Sequence, residues 1–246
     1  ILIEFSSNSK LLNQVRKKKQ LKSKLQQTLE KNSKVITAEL MPPRGGDPIR
    51  SLKIAQLLKN KVHAVNITDG SRAIMRMCSL AMSKLLLENG IEPIMQISCR
   101  DRNKIALQSD ILGANALGIK NILCITGDSV KAGDQQETKA VHEFEAVRLL
   151  KQIQSFNQGI DPTFEQLPDK RTNIFSGAAV DPSCRNQRSL KSRTIKKKEA
   201  GANFLQTQIV MDRKCLAEFC NEISNPLDIP VIAGVFLLKS YKNALF

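Results

Sequence analysis

Residues 35–48 read "VITAELMPPRGGDP". The stretch 35–40 has the β-branched, alternating character of a short strand, and Pro42 and Pro43 stop any ladder just beyond it. Glu39 stands one residue from the strand's end, where a carboxylate is unfavourable unless it has a partner or a task. The same arrangement recurs down the chain. Further strand-like runs fall at 63–68, 94–99, 122–127, 174–180, 204–210 and 230–236, and most end on polar residues. Thr68-Asp69-Gly70 closes the second run, Cys99-Arg100-Asp101 the third and Thr126-Gly127-Asp128 the fourth; Asp181 follows the fifth, and Gln206 and Gln208 lie on the sixth.

Between the strands, apolar residues at spacings of three and four mark helices at 49–59, 72–88, 104–117, 143–154, 187–199 and 212–223. Strand starts lie roughly 26–31 residues apart, one β-α unit each, which implies a parallel sheet with right-handed crossovers. One interval is nearly double because the polar stretches 128–140 and 157–172 intervene, and long polar loops in compact α/β domains are commonly lids or binding loops.

Two α/β architectures fit this order. An open doubly wound sheet gathers ligand groups at one switch point, whereas a (β/α)8 barrel brings every C-terminal strand end to one mouth. Polar groups at nearly every strand end favour the barrel, and no G-x-G-x-x-G or phosphate-loop motif follows the first strand. Seven strands are legible, so the expectation is a (β/α)8 TIM barrel that lacks or does not show its eighth β-α unit. A basic helical segment over 1–34 precedes a single barrel domain over 35–246.

The 246 residues are 41% apolar, enough for a sizeable core, and carry a net charge of +15. Such charge favours polyanions or ligands bearing phosphates and carboxylates. It is concentrated in Arg16-Lys17-Lys18-Lys19 with Lys22 and Lys24, and in Lys196-Lys197-Lys198, runs that ordinarily form solvated helix faces. With one Tyr, no Trp and nine Phe, stacking platforms for nucleic acid are few, which leaves only bulk electrostatic contact with it. Cys78, Cys99, Cys124, Cys184, Cys215 and Cys220 are dispersed without C-x-x-C spacing, which argues against a zinc site and for reducing surroundings, cytoplasm or an organelle stroma or matrix. No apolar run reaches membrane-spanning length, so membrane insertion is not expected. His63 and His142 are too isolated to read as catalytic.

Six segments together, "ITAELMPPRG", "VNITDG", "QISCRDRNKIALQSDILGANALGI", "NILCITGD", "EAGANFLQTQ" and "IPVIAGVFLL", resemble the methylenetetrahydrofolate reductase family in order and spacing from about residue 35 to 238. The resemblance implies a flavoprotein oxidoreductase of one-carbon metabolism and methionine biosynthesis. It would use FAD to reduce 5,10-methylenetetrahydrofolate to 5-methyltetrahydrofolate, with NAD(P)H or another electron donor, as a homo-oligomer or with a partner subunit.

It also assigns roles. Glu39 matches the acid that opens the folate ring, and burial in a barrel mouth raises a carboxyl pKa toward the range useful for donating a proton. Asp128 matches a residue beside the flavin pyrimidine edge and the pterin, Gln208 a folate-contacting amide, Thr68 a flavin contact, and Gln96 a cofactor-side position held by His in some members. Lys197 matches a lysine near the flavin diphosphate. Val180 and Asp181 depart from the family's small-small-aromatic-Pro segment, as does "SCRNQRSLKSR" after them. The structural alternatives are that Glu39 pairs with Arg44, that Asp101 pairs with Arg100 and caps the following helix, and that Gln208 is barrel packing. Two other functions fit: a non-catalytic reductase-like barrel serving as a basic binding or assembly subunit, and a folate-using barrel that transfers a one-carbon unit without flavin.

Overall fold

The computed structural model describes residues 22–241 apart from 162, 164 and 168–170, so Arg16-Lys17-Lys18-Lys19 lies outside the described residues. A first helix, α1 (Lys24–Glu30), is followed by β1 (Thr37–Leu40), α2 (Ile49–Leu58), β2 (Ala64–Ile67), α3 (Ser79–Glu88), β3 (Pro93–Ser98), α4 (Lys104–Leu117), β4 (Asn121–Ile125), α5 (Ala146–Gln158), β5 (Phe175–Val180), α6 (Gln187–Glu199), β6 (Phe204–Ile209), α7 (Arg213–Phe219) and β7 (Val231–Gly234). All strand pairs are parallel and the seven strands stand in sequence order.

That order decides the architecture. A doubly wound sheet reverses direction and places helices on both faces. Six right-handed crossovers with no reversal put every intervening helix on one face, and the sheet curls around the other. The result is a (β/α)8-type barrel showing seven of its units among the described residues, open along a seam between the edge strands β1 and β7.

Side chains alternate along each strand and sort into two regions. Outward residues Met95, Ile97, Ile122, Cys124, Ala178 and Leu205 pack with Leu107, Ile111, Leu149 and Ile153 of the helices. Inward residues Ala64, Ile94, Leu123, Phe175, Phe204 and Ile232 form a separate cluster that includes Leu25 and Leu29 of α1. Helix α1 therefore plugs the N-terminal end of the barrel. Ser23 caps it, its Oγ accepting from the Gln26 amide at 3.0 Å, and the Glu92 carboxylate accepts from the Lys24 and Leu25 amides at 2.7 and 2.9 Å. Leu25 is fully buried. Leu25→Ala is expected to destabilise the fold by about 2–5 kcal/mol, measurable as a lower midpoint in urea, because the rigid barrel floor cannot close the cavity.

Phe175 and Phe204 stack with ring centroids 5.4 Å apart, and Gly177 lies against the Phe204 ring. A Cβ at Gly177 would sit 2.4 Å from the Phe204 ring, so only glycine fits.

The expected elements fall within a few residues of the observed ones, and α4 and α6 have the expected bounds. The largest difference is α3, which starts at Ser79 instead of 72. Gly70, Arg72 and Ala73 adopt left-handed φ values of 55°, 59° and 54°, so the chain makes a tight turn before any helix begins.

Candidate active site

The alternation that fills the barrel floor with apolar groups continues upward with polar ones. Above Ala64 on the inner face come Asn66 and Thr68; above Ile94, Gln96 and Ser98; above Phe204, Gln206, beyond which a bulge against β7 interrupts the alternation before Gln208. On β1, Val35 packs with the inner cluster, so Thr37 and Glu39 follow on the same face, and Glu39 stands in register with Asn66. The C-terminal half of the barrel interior is thus lined by amides, hydroxyls and one carboxyl group. β5 adds only Gly177 and Ala179, which leaves room on that side.

Several of these groups are buried without a partner. Asn66 Oδ1, Thr68 Oγ1 and Gln206 Oε1 lack hydrogen bonds among the described residues, and Asn66 and Thr68 are each 3% exposed. An unpartnered buried polar atom is unfavourable by about 1–3 kcal/mol, and three converging on one lumen form a surface prepared for a polar ligand. Gln96 is also buried; its side chain lines the lumen while its carbonyl accepts from Ser79 Oγ at 2.7 Å.

Glu39 belongs to an edge strand and retains solvent contact along the open seam. Even so, the protein packed around it pushes its carboxyl above the usual carboxylate range, burial being the cause. Arg44 does not pair with it. The Arg44 guanidinium instead binds Asp134, in the loop after β4.

Asp128 is exposed at the end of β4, and its Oδ2 accepts from the Arg72 amide at 2.7 Å. Its approach depends on Gly127, whose φ is +97° and whose added Cβ would lie 2.3 Å from Ser98 Oγ. Gln208 is exposed at the end of β6, toward the mouth. Lys197 lies in the last turn of α6, where it complements the helix dipole, and its ammonium donates to the Ala179 carbonyl at 2.7 Å. Burial, and next the neighbouring Arg193, lower its pKa. The inner face therefore brings together Glu39, Thr68 and Gln96, with Asp128 and Gln208 exposed at their strand ends; Lys197 approaches from outside, through β5.

The cluster 99–102 is structural. Arg100 is 3% exposed and holds Asp101 through two contacts of 2.6 Å. Arg102 holds Asp69 at 2.6 and 3.2 Å and Asp110 at 2.7 Å, while Asp69 also accepts from the Ser98 amide at 2.8 Å. Asp101 pairs with Arg100, as the structural alternative had it, but the cap of α4 is Asn103, whose Oδ1 accepts from the Ala106 amide at 3.0 Å. These ion pairs tie the ends of β2 and β3 together. Beside them, a cavity of about 240 Å³ opens between the loops after β2, β3 and β4, bordered by Ile74, Arg76 and Thr138.

Sequence reasoning gave no role to Asn66, although "VNITDG" contains it. The signal was its position two residues before Thr68, on the same face of the strand. Among the described residues no cluster of His, Cys, Asp and Glu could hold a metal ion, and no helix is long and apolar enough to cross a membrane.

Comparison with known proteins bears on this site. A family model described as Methylenetetrahydrofolate reductase matches residues 24–246. The chain is similar to "Methylenetetrahydrofolate reductase 2" of Schizosaccharomyces pombe, 28% identical over 218 residues, which are 82% of this chain and 33% of that protein. It is 23% identical over 239 residues to the "Probable methylenetetrahydrofolate reductase (NADPH)" of Caenorhabditis elegans, covering 91% of this chain and 33% of that one. The chain thus spans about a third of the length of these curated relatives. Among solved structures, an uncharacterised protein from Clostridium thermocellum, described as binding two copies of 5-methyl-5,6,7,8-tetrahydrofolic acid, has the same fold. It superposes with a TM-score of 0.54 at 14% identity over 85% of this chain and 68% of that one.

Proposed function

The chain belongs to the methylenetetrahydrofolate reductase family, and from that premise we propose that it reduces 5,10-methylenetetrahydrofolate to 5-methyltetrahydrofolate with FAD bound in the barrel mouth. The observation that carries the reading is the set of buried, unpartnered oxygens on the inner face, Asn66 Oδ1, Thr68 Oγ1 and Gln206 Oε1. They suit a flat, polar heterocycle whose edge offers N–H donors and acceptors, and the small residues Gly177 and Ala179 leave space for its rings.

When bound, FAD supplies the hydride for the one-carbon unit. The chain's own residues do the rest. Glu39, whose pKa burial raises, donates its proton to the folate nitrogen released when the five-membered ring opens to an iminium. Gln208 both donates to and accepts from the pterin edge. Asp128 orients the pterin amino group and places negative charge at the rim, which disfavours further negative charge on the neighbouring cofactor ring. Thr68 and Gln96 hold that ring, while Lys197 and Arg193 supply cationic charge on the diphosphate side. Electrons arrive from NAD(P)H or another donor.

This reading is preferred to a non-catalytic binding subunit. A basic surface explains affinity for polyanions, but it does not explain why amide and hydroxyl oxygens are left unpartnered inside a barrel. The similarity to a protein described as binding 5-methyltetrahydrofolic acid adds support.

The test is uptake of FAD. Protein mixed with excess FAD and passed through a desalting column is expected to retain about one flavin per chain, seen in its visible spectrum, and Asn66→Leu to bind FAD about 5- to 30-fold more weakly, for loss of about 1–2 kcal/mol of hydrogen bonding. A colourless wild-type protein would overturn the flavin reading and favour the binding subunit or a flavin-independent folate enzyme.

A further inference from the structure

We infer that Asp134 is a positioning residue for Glu39: it holds the Arg44 guanidinium across the mouth and so keeps that cation from pairing with the Glu39 carboxyl. The inference rests on the acid role proposed above for Glu39.

Its basis is one carboxylate that joins three loops. Asp134 lies in the loop after β4. Its Oδ2 accepts from Arg44, in the loop after β1, and its Oδ1 accepts from the Met75 amide, in the loop after β2, at 3.1 Å. Close packing supports the crossing, because Gly133 lies so near the Ala73 carbonyl that an added Cβ would be 1.9 Å from it. Asp128, earlier in the same loop, grips the Arg72 amide. The loop after β4 is thus strapped over the end of β3 and reaches the loop that carries Arg44.

Arg44 is exposed enough for its restraint to matter. Its side chain is 59% exposed, and Gly45 and Gly46, next along the chain, have nothing within 4 Å of where a Cβ would stand. An exposed ion pair alone is a weak hold, so the Met75 amide is what fixes the Asp134 carboxylate in place. Released, Arg44 would find Glu39 at the end of the strand that leads into its own loop.

The other groups around Glu39 would not compensate. β2, β3, β5 and β6 present Asn66, Gln96, Gly177 and Gln206 to the lumen, none of which titrates. The loop after β4 presents the Asp128 carboxylate, bonded to the Arg72 amide. Arg100 and Arg102 are held by Asp101, Asp69 and Asp110, and Arg76 donates to the Pro42 carbonyl at 2.9 Å. Arg44 is therefore the cation whose position decides whether Glu39 is a proton donor or half of a salt bridge.

The test is a pH titration of the whole chain labelled with ¹³C at glutamate carboxyl carbons, with the Glu39 resonance assigned by its disappearance in Glu39→Gln. Asp134→Asn is expected to lower the Glu39 midpoint by about one pH unit, the effect of an opposite charge brought within a few ångströms. Arg44→Gln breaks the same loop contact without freeing a cation and should leave the midpoint where the wild type has it, and the double variant should return to that value. An unchanged midpoint in Asp134→Asn, or a fall that persists in the double variant, overturns the inference. The titration needs neither flavin nor folate. The expected shifts in a protein that reduces no folate would uphold the role of Asp134 and remove the acid role of Glu39.

Discussion

Glu39→Gln is expected to slow reduction of methylenetetrahydrofolate by about 10²–10⁴-fold, the contribution typical of a positioned general acid, with FAD retained and reduction by the electron donor largely spared. The reason lies in the chemistry of the two half-reactions. Ring opening releases a nitrogen that must be protonated, and an amide cannot donate as an acid does; accepting electrons from a donor involves no such group. The pH dependence follows from the direction of the shift. A carboxyl whose pKa is raised by burial stays protonated further up the pH scale, so the folate half-reaction should be fast at low pH and fall as pH rises through that pKa. Glu39→Gln should erase this limb as well as lower the rate. Equal losses in both half-reactions would show that Glu39 supports the site as a whole and has no acid role.

The second large effect is on stability. Arg102→Leu should destabilise the protein by about 3–5 kcal/mol, because it strands Asp69, whose side chain is only 7% exposed, without its counter-ion. Burial works against the Arg102 cation, yet Asp69 and Asp110 outweigh it and hold the guanidinium above its ordinary pKa. Denaturant midpoints of the variant and the wild type measure this. Arg102→Leu combined with Asp69→Asn should recover part of the loss, since no bare charge then remains buried.

The two effects mark what the sequence could and could not disclose. The parallel strands were legible because each is a short apolar run with turn residues after it, and the barrel because polar residues close nearly every one. Lys104–Leu117 and Gln187–Glu199 were bounded correctly, since Asn103 and Asn186 cap them and Gly118 and Gly201 lie just beyond. The start of Ser79–Glu88 was missed because left-handed backbone at Arg72 and Ala73 is imposed by tertiary contacts, those of Asp128 and Gly133 from the loop after β4. Nothing local in residues 70–78 encodes it.

Within the site, Glu39, Thr68 and Gln208 stood out by their place at strand ends. The partner of Arg44 did not. Asp134 lies 90 residues further along the chain in a stretch with no periodicity, and only the crossing of the loop after β4 brings the two together. The plug formed by Leu25 and Leu29 was equally hidden, because a seven-residue helix with two apolar positions reads as surface until the open barrel end beneath it is known.

The central claim is that this barrel mouth passes a hydride from bound flavin to a folate one-carbon unit. It is tested most directly by reducing the FAD-loaded protein anaerobically, adding 5,10-methylenetetrahydrofolate, and following flavin absorbance while the folate product is identified. The account predicts that flavin is reoxidised and 5-methyltetrahydrofolate formed in equal amounts. Flavin that stays reduced beside unaltered methylenetetrahydrofolate would contradict it.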